Sequence, residues 1–434
     1  MNSASLAAVA FAAFVVVPSR RRLLTLAEIQ PFPGILYRVP EEDLPRVLAP
    51  PYDVIPPAYQ EELYARDPRN VVRVILNRRP GDDAYREAGE TFRRWREEGL
   101  LAADPEPALY VLEQAFAAEG RTLRRFGVLA RFRAEDPEKR VILPHERTRA
   151  AAKEDRFKLL LATRANFSPI FLMFPDPESR FGALVASVIA QPPALHYTDD
   201  GGVAHRLWRV THAATVDGFR RLLGGQKAYI ADGHHRYATA LRYRDAHGKD
   251  GAWTLGYFTP MGAPGLVVLP YHRILAEGPS LEEARSRLGR HFDLAPAPGV
   301  AEAAAAVAAS GRPHAFALAQ PGAGALVAES KPGTEGLLPA DTPPSLRALD
   351  TYFLHHGVLG PLLGVSEAAV SYVHSLAQAE EAVEQEKCRL AVLLRGTPGS
   401  QIVEVAEARE SMPAKSTFFH PKLPSGLVIH PLVE

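Results

Sequence analysis

The chain has 434 residues, 47% apolar and 23% charged, values of a globular protein with room for roughly two or three domains. Lys+Arg and Asp+Glu both total 50, so no net charge recruits nucleic acid or an anionic membrane surface. The single cysteine, Cys388, excludes an internal disulfide framework and suits a reducing, cytoplasmic compartment.

Leu6 to Val17 is an uninterrupted apolar run of 12 residues, shorter than the ~20 a membrane span needs. Its positive charge, Arg20-Arg21-Arg22, follows the apolar part, the reverse of a secretory signal, so residues 1–28 read as a dispensable extension. Folded structure is expected from Ile29. Ala49-Pro50-Pro51-Tyr52-Asp53-Val54-Ile55-Pro56 is a proline-stiffened loop that fixes a phenol and a carboxylate, Tyr52 and Asp53. Val71 to Leu76 reads as a strand. Asp83 to Glu98 reads as an amphipathic helix with Tyr85, Phe92 and Trp95 inward and Gly99 as its stop. Tyr110–Phe116 and Arg124–Phe132 read as paired strands joined at Glu119-Gly120.

A polar stretch follows. Leu143-Pro144-His145-Glu146-Arg147-Thr148 precedes an expected helix, Ala150 to Thr163, in which Lys153, Arg156 and Phe157 share a face. Asn166 stands just after it, in Arg164-Ala165-Asn166-Phe167-Ser168-Pro169. Phe181–Ala190 is expected to be helix and Ala204–Val210 strand. Lys227 to Ala231 is apolar enough for a buried strand, Asp232 is placed to cap a helix running from His235 to Gly248, and Gly233 allows a sharp turn between them. Such a turn aims free N–H groups and the positive end of a helix dipole at one spot, a seat for phosphate or carboxylate. His234, His235 and Arg236 add donors and charge there, and Asp232 adds a base or metal ligand.

Trp253–Phe258 and Leu266–Leu269 read as strands. Beyond Gly278 the composition changes to an α/β texture: strands at His314–Ala319 and Leu390–Leu394, helices at Ala301–Ala309, Leu346–His356 and Leu376–Glu386. The resulting division is an extension at 1–28, a phosphate-binding catalytic domain at 29–277, a C-terminal α/β unit at 278–411, and a segment at 412–434. That last segment, with Met412-Pro413-Ala414-Lys415-Ser416-Thr417 and Lys422, is too polar for an idle tail and is expected to fold back onto the site. Nine of the 50 basic residues are lysine, so Lys153, Lys415 and Lys422 stand out in an arginine-rich chain.

The common nucleotide signatures, the zinc spacings and the serine-hydrolase elbow are missing from the sequence. What remains suits phosphoryl transfer, in which the protein positions groups and offsets charge, with Mg²⁺ as an ion that carboxylates and phosphates could share. Ala49–Ile55, Pro144-His145-Glu146-x-Thr148, Ala231-Asp232-Gly233-His234-His235-Arg236 and Met412-Pro413-x-Lys415-Ser416-Thr417, in that order, resemble the prokaryotic family called domain of unknown function 1015. The resemblance runs from Ile29 to Leu432. The Asp232–Arg236 motif is also similar to the nucleotide-phosphate motif of ParB/sulfiredoxin-fold proteins, among them free-serine kinases that use ADP or ATP.

That second resemblance implies a mixed α/β fold with a ParB/sulfiredoxin-like nucleotide-binding core. It implies that His234, His235 and Arg236 contact phosphate; the reading of the residues adds the backbone after Gly233 as a phosphate seat, with Lys153, Lys415 and Lys422 offsetting charge. Glu146 or Asp232 then takes the hydroxyl proton, assisted by His145 and His235, while Tyr52, Asp53 and Asn166 face the substrate. The expected partners are a nucleotide, ADP or ATP, and a small hydroxylated metabolite such as L-serine, with no nucleic acid and no membrane; a homo-oligomer is compatible with all of this. The alternatives are a phosphohydrolase acting on a small phosphorylated metabolite such as phosphoserine, and a non-enzymatic nucleotide-binding regulator.

Overall fold

The computed structural model describes residues 27–432 apart from 119 and 250; the apolar run Leu6–Val17 lies outside the described residues. The fold is mixed α/β, as expected. Among the described residues one nine-stranded sheet runs in the order Ile142–Leu143, Ala228–Asp232, Ile170–Phe174, Trp253–Pro260, Arg121–Arg133, Leu109–Ala118, Ala204–Val210, Leu195–Thr198, with Ile29–Gln30 added to Arg121–Arg133. Its central pair, Leu109–Ala118 and Arg121–Arg133, is the expected hairpin, with Tyr110 opposite Leu129. Two contacts are parallel: Trp253–Pro260 with Ile170–Phe174, and Ala228–Asp232 with Ile142–Leu143. A second sheet, antiparallel throughout, contains Phe292–Ala297, Gly324–Ser330, Ala315–Gln320, Leu390–Leu393, His272–Leu275 and Val370–Val373.

The helices Asp83–Glu97 and Ala150–Thr163 stand where the sequence pattern puts them. In the first, Phe92 and Trp95 are buried, whereas Tyr85 is half-buried and donates its hydroxyl to Asp155 at 2.8 Å. Val71–Leu76 is corrected from strand to a single helical turn, Val72–Ile75. The cause lies one residue upstream. The Asn70 Oδ1 accepts the Val72 N–H at 2.9 Å, while its amide nitrogen holds Arg46 O and Leu48 O, and this local turn wins over the β-branched preference. The helix Ala213–Leu223, which packs four apolar side chains into the core, had not been anticipated.

Leu346–His356 is not one helix. Pro344–Arg347 and Asp350–Phe353 are separate turns, followed by a π-helical turn, Leu354–Leu359. Asp350 is anchored sideways, accepting from His314 Nδ1 at 2.9 Å and Arg395 Nε at 2.7 Å, which bends the chain away from a straight course.

The segment after Glu410 returns to the first sheet, and two buried guanidiniums fix its path. Arg125, fully buried on a central strand, donates to His420 O at 3.0 Å, to Pro421 O at 2.5 Å and to Gln114, with its cation over the Phe171 ring. Arg273, on the second sheet and equally buried, donates to Tyr271 O and to Lys415 O at 3.4 Å. Burial lowers Arg273 to about 10, which still leaves it charged at neutral pH. Phe418–His420 then pairs with Val267–Leu269, and Leu423, Leu427, Val428 and Ile429 enter the larger core.

Replacing Arg125 by Met leaves two main-chain carbonyls and the Gln114 amide without their charged donor. The expected loss is about 3–5 kcal/mol, since three hydrogen bonds to a charged group, each contributing about 1.5–3 kcal/mol, are partly offset by no longer burying the guanidinium. Urea unfolding monitored by fluorescence measures it, and a midpoint equal to that of the native chain would refute this role.

Candidate functional site

The strand Ala228–Asp232 ends at Gly233, whose φ of +96° turns the chain directly into the helix His234–His247. A Cβ at Gly233 would stand 2.9 Å from Arg236 Cζ, so both the dihedral and the packing require glycine. The first helical N–H with a main-chain partner is that of Tyr237, to Gly233 O at 2.9 Å, so the amides before it belong to the unpaired first turn, at residues that line the cleft. Two details of the expected turn are corrected. The helix starts at His234, and Gly233, not Asp232, occupies the N-cap position.

Asp232 does not cap because its carboxylate is taken. Lys422 Nζ lies 2.7 Å from Oδ1, and Arg236 donates to Oδ2 while its other terminal nitrogen donates to Pro169 O. These side chains are 12–16% exposed, and a neutral amide cannot compete with two cations in such a setting. Burial alone would raise the Asp232 carboxyl, but Lys422 and then Arg236 outweigh it and hold it well below the usual range.

Glu146 shows the opposite behaviour. Burial first, and the Asp232 charge second, push its carboxyl up to about 7, against smaller opposing effects of Lys422 and Lys415. Its side chain keeps 26% of its surface open, so burial here means a dense wall around a group that still faces the cleft. Oε2 lies 3.7 Å from His234 Nδ1. Because His234 Nε2 accepts the His145 N–H at 3.3 Å, the neutral ring carries its proton on Nδ1, toward Glu146. Burial keeps His234 well below its ordinary value and therefore neutral. His235 is arranged alike: Nε2 accepts the Arg149 N–H at 3.0 Å, and burial lowers its affinity for protons.

These groups line a cleft of about 880 Å³ between the two sheets, together with Tyr52, Asp53, Lys415 and Lys422. The Tyr52 ring lies under the Arg156 guanidinium at 3.9 Å, and burial, with Asp53 adding to it, pushes its hydroxyl up to about 12. Lys415, exposed and held at φ +59°, sits 3.5 Å from the Tyr271 hydroxyl. Met412 donates its N–H to His145 O at 2.8 Å, which places the returning segment along the rim of the cleft.

Three residues expected at the site lie off its surface. His145 is fully buried, edge-on to His234 with ring centroids 4.5 Å apart, and burial lowers it to about 4. Lys153 is outside the lining, although its charge contributes to depressing His235. Asn166 lines a small adjoining pocket with Tyr52, Arg156 and Arg236, while its Oδ1 accepts the Leu255 N–H at 3.2 Å and meets His430 Nδ1 at 3.1 Å. Conversely, Arg147, Arg149, Tyr271, Tyr352, His356 and Glu367 line the cleft without having been assigned. Arg147 stands within the Pro144–Thr148 motif and Arg149 next to it, which was the available signal; periodicity marks none of the others.

Of the ligand groups, phosphate suits the open amides and cations best. Both Asp232 oxygens already face cations, so a Mg²⁺ would have to rely on Asp53, Glu146 and phosphate oxygens. Among the described residues no three His, Cys, Asp or Glu side chains converge in a manner that would hold a metal.

The chain belongs to the family described as protein of unknown function (DUF1015), which it matches over residues 29–352. No curated protein matches it. Among solved structures it is similar to a mutant free serine kinase in complex with ADP, at 12% identity over 67% of this chain and 86% of that one, with a TM-score of 0.35. It is similar also to SbnI with C-terminal truncation from Staphylococcus aureus, at 10% identity over 70% and 87%, TM-score 0.36. A conserved hypothetical protein from Pyrococcus furiosus gives 14% identity over 69% and 93%, TM-score 0.33. No helix among the described residues is long and apolar enough to cross a membrane.

The charge arrangement has a direct spectroscopic consequence. In Lys422→Met the stronger of the two effects holding Asp232 down is removed, so its pKa rises toward the ordinary carboxylate value. A carboxyl-detected NMR titration follows this shift; an Asp232 resonance that titrates as in the native chain would contradict the pairing.

Proposed function

We propose that this protein is a phosphotransferase that uses a nucleotide, ADP or ATP, to phosphorylate the hydroxyl of a small metabolite, free L-serine first among them. The observation that carries the proposal is the meeting, in one cleft, of an open helix start with a carboxyl poised near neutrality. The amides after Gly233, with Lys415 and Lys422, offset phosphate charge. Arg236 acts at one remove, fixing Asp232 and through it Lys422.

Of the two carboxylates first considered as the base, Glu146 suits the task. Asp232 is held ionised by two cations and has little affinity for a proton. Glu146 binds a proton with an affinity matched to neutral pH, and the His234 Nδ1–H beside it orients the ionised form. Tyr52 and Asp53, on the proline-stiffened loop, then face the acceptor. In this reading residues 29–277 carry the chemistry, 278–411 form the opposing wall, and 412–434 contribute cations, in a cytoplasmic protein.

Glu146→Gln keeps the shape and removes the base, so phosphoserine formation from serine with ADP, ATP or pyrophosphate should fall by about 10²- to 10⁴-fold, the usual contribution of a positioned base. A base works deprotonated, so the native rate should rise with pH and level off above about 7. Absence of phosphoserine with every donor would reject serine as the substrate, and a flat profile between pH 5 and 8 would reject Glu146.

A further inference from the structure

Behind the main cleft lies a second chamber of about 360 Å³ that the phosphate chemistry does not use. The two spaces share His356, Glu367, Pro413 and Ala414 as lining, so they adjoin at the returning segment. The next residue, Lys415, faces only the main cleft. Charge is thus divided along three consecutive residues: no lysine or arginine lines the rear chamber, and the cations gather on the other side of Ala414.

The rear chamber is built for something flat and uncharged. Its floor is apolar, with Leu359, Val365 and Val370. On one side the π-helical turn Leu354–Leu359 brings His355 and His356 to the surface in succession. π-Turns of this kind often mark functional sites. The Tyr372 ring lies nearly parallel to His355, at 13° and 6.3 Å, with the Arg273 guanidinium 5.4 Å from its centroid. Arg273 Nε donates to His355 Nε2 at 3.3 Å, which fixes the plane of the imidazole. Burial, and then the Arg273 charge, lower His355 to about 4, so it presents a neutral ring at physiological pH. Glu367 is the one carboxylate in the wall, an acceptor for an amino group.

We propose that this chamber receives the base of the nucleotide, an amino-bearing heteroaromatic ring, while the phosphates reach past Ala414 to Lys415 and the start of the helix His234–His247. The assignment rests on the phosphate-binding reading of the main cleft and narrows it: the donor is a nucleoside di- or triphosphate, selected by the C-terminal unit. Rings at this spacing supply stacking, and Glu367 supplies preference for a base with an exocyclic amino group.

Two variants test the idea without touching the phosphate end. Gly360 lines the chamber in helical backbone, and a Cβ there meets no atom within 4 Å, so Gly360→Phe can fill the space without moving the chain. Tyr372→Ala removes one ring. Calorimetric titration of the full chain with ADP and with pyrophosphate separates base from phosphate. Both variants should weaken ADP by roughly 10- to 100-fold, the usual contribution of one stacked base, and leave pyrophosphate affinity within about twofold. ADP binding as tightly to both variants as to the native chain, or equal loss of ADP and pyrophosphate, would overturn the base assignment alone. A native chain that binds neither ligand would overturn the phosphate reading on which it rests.

Discussion

The Asp232 carboxylate, shared between Lys422 and Arg236, is the interaction on which the site depends. Removing charges from water costs several kcal/mol per ion, so a buried pair of this kind contributes little net stability. Its value is positional. One oxygen fixes a lysine that arrives 190 residues later in the chain, and the other fixes an arginine one helical turn away that also holds Pro169 O. Strand end, helix start and returning segment are thereby locked to a single group. An apolar substitute could fill the space but could not dictate where an ammonium comes to rest.

The same interaction divides labour between two carboxylates. Because Asp232 is kept ionised, its charge adds to the burial that raises Glu146, while Lys422 and Lys415 keep that rise moderate. Two acidic groups in one cleft therefore reach opposite protonation behaviour from one arrangement of cations. Such divergence is what separates an electrostatic anchor from a proton acceptor. His234, neutral and with its tautomer set by the His145 amide, completes the arrangement by presenting a donor and no charge.

Much of this was legible in the sequence because it is local. Strand, glycine, helix and their order follow from residues 227–248 alone, as do the Leu109–Arg133 hairpin and the helix Ala150–Thr163. The lysines of the last segment stood out by composition. What failed was whatever depended on partners from elsewhere. Asp232 has the identity of an N-cap residue, but Arg236 one turn on and Lys422 from the far end of the chain make it an ion-pair acceptor. Val72–Ile75 has the residues of a strand, yet the Asn70 side chain closes a turn beneath it. Asn166 and His145 are polar residues in or near a polar motif; partners from distant chain engage the first as a backbone clasp, and burial makes the second packing for His234.

The distances along the chain also order the events of assembly. Arg125 holds Pro421, 296 residues on, and Gln114 donates to Lys422 O, 308 residues on, so these are among the least local contacts of the fold. Closing such long loops is entropically costly, and nothing repays it before the last contacts are made. The strand–helix turn at Gly233 can form early from local sequence, with Arg236 already beside Asp232. Without Lys422, however, the second Asp232 oxygen lacks its cation. Docking of the C-terminal segment adds the Lys415 and Lys422 charges to the cleft beside the helix start. A ligand that binds there stabilises by linkage the one contact that comes last.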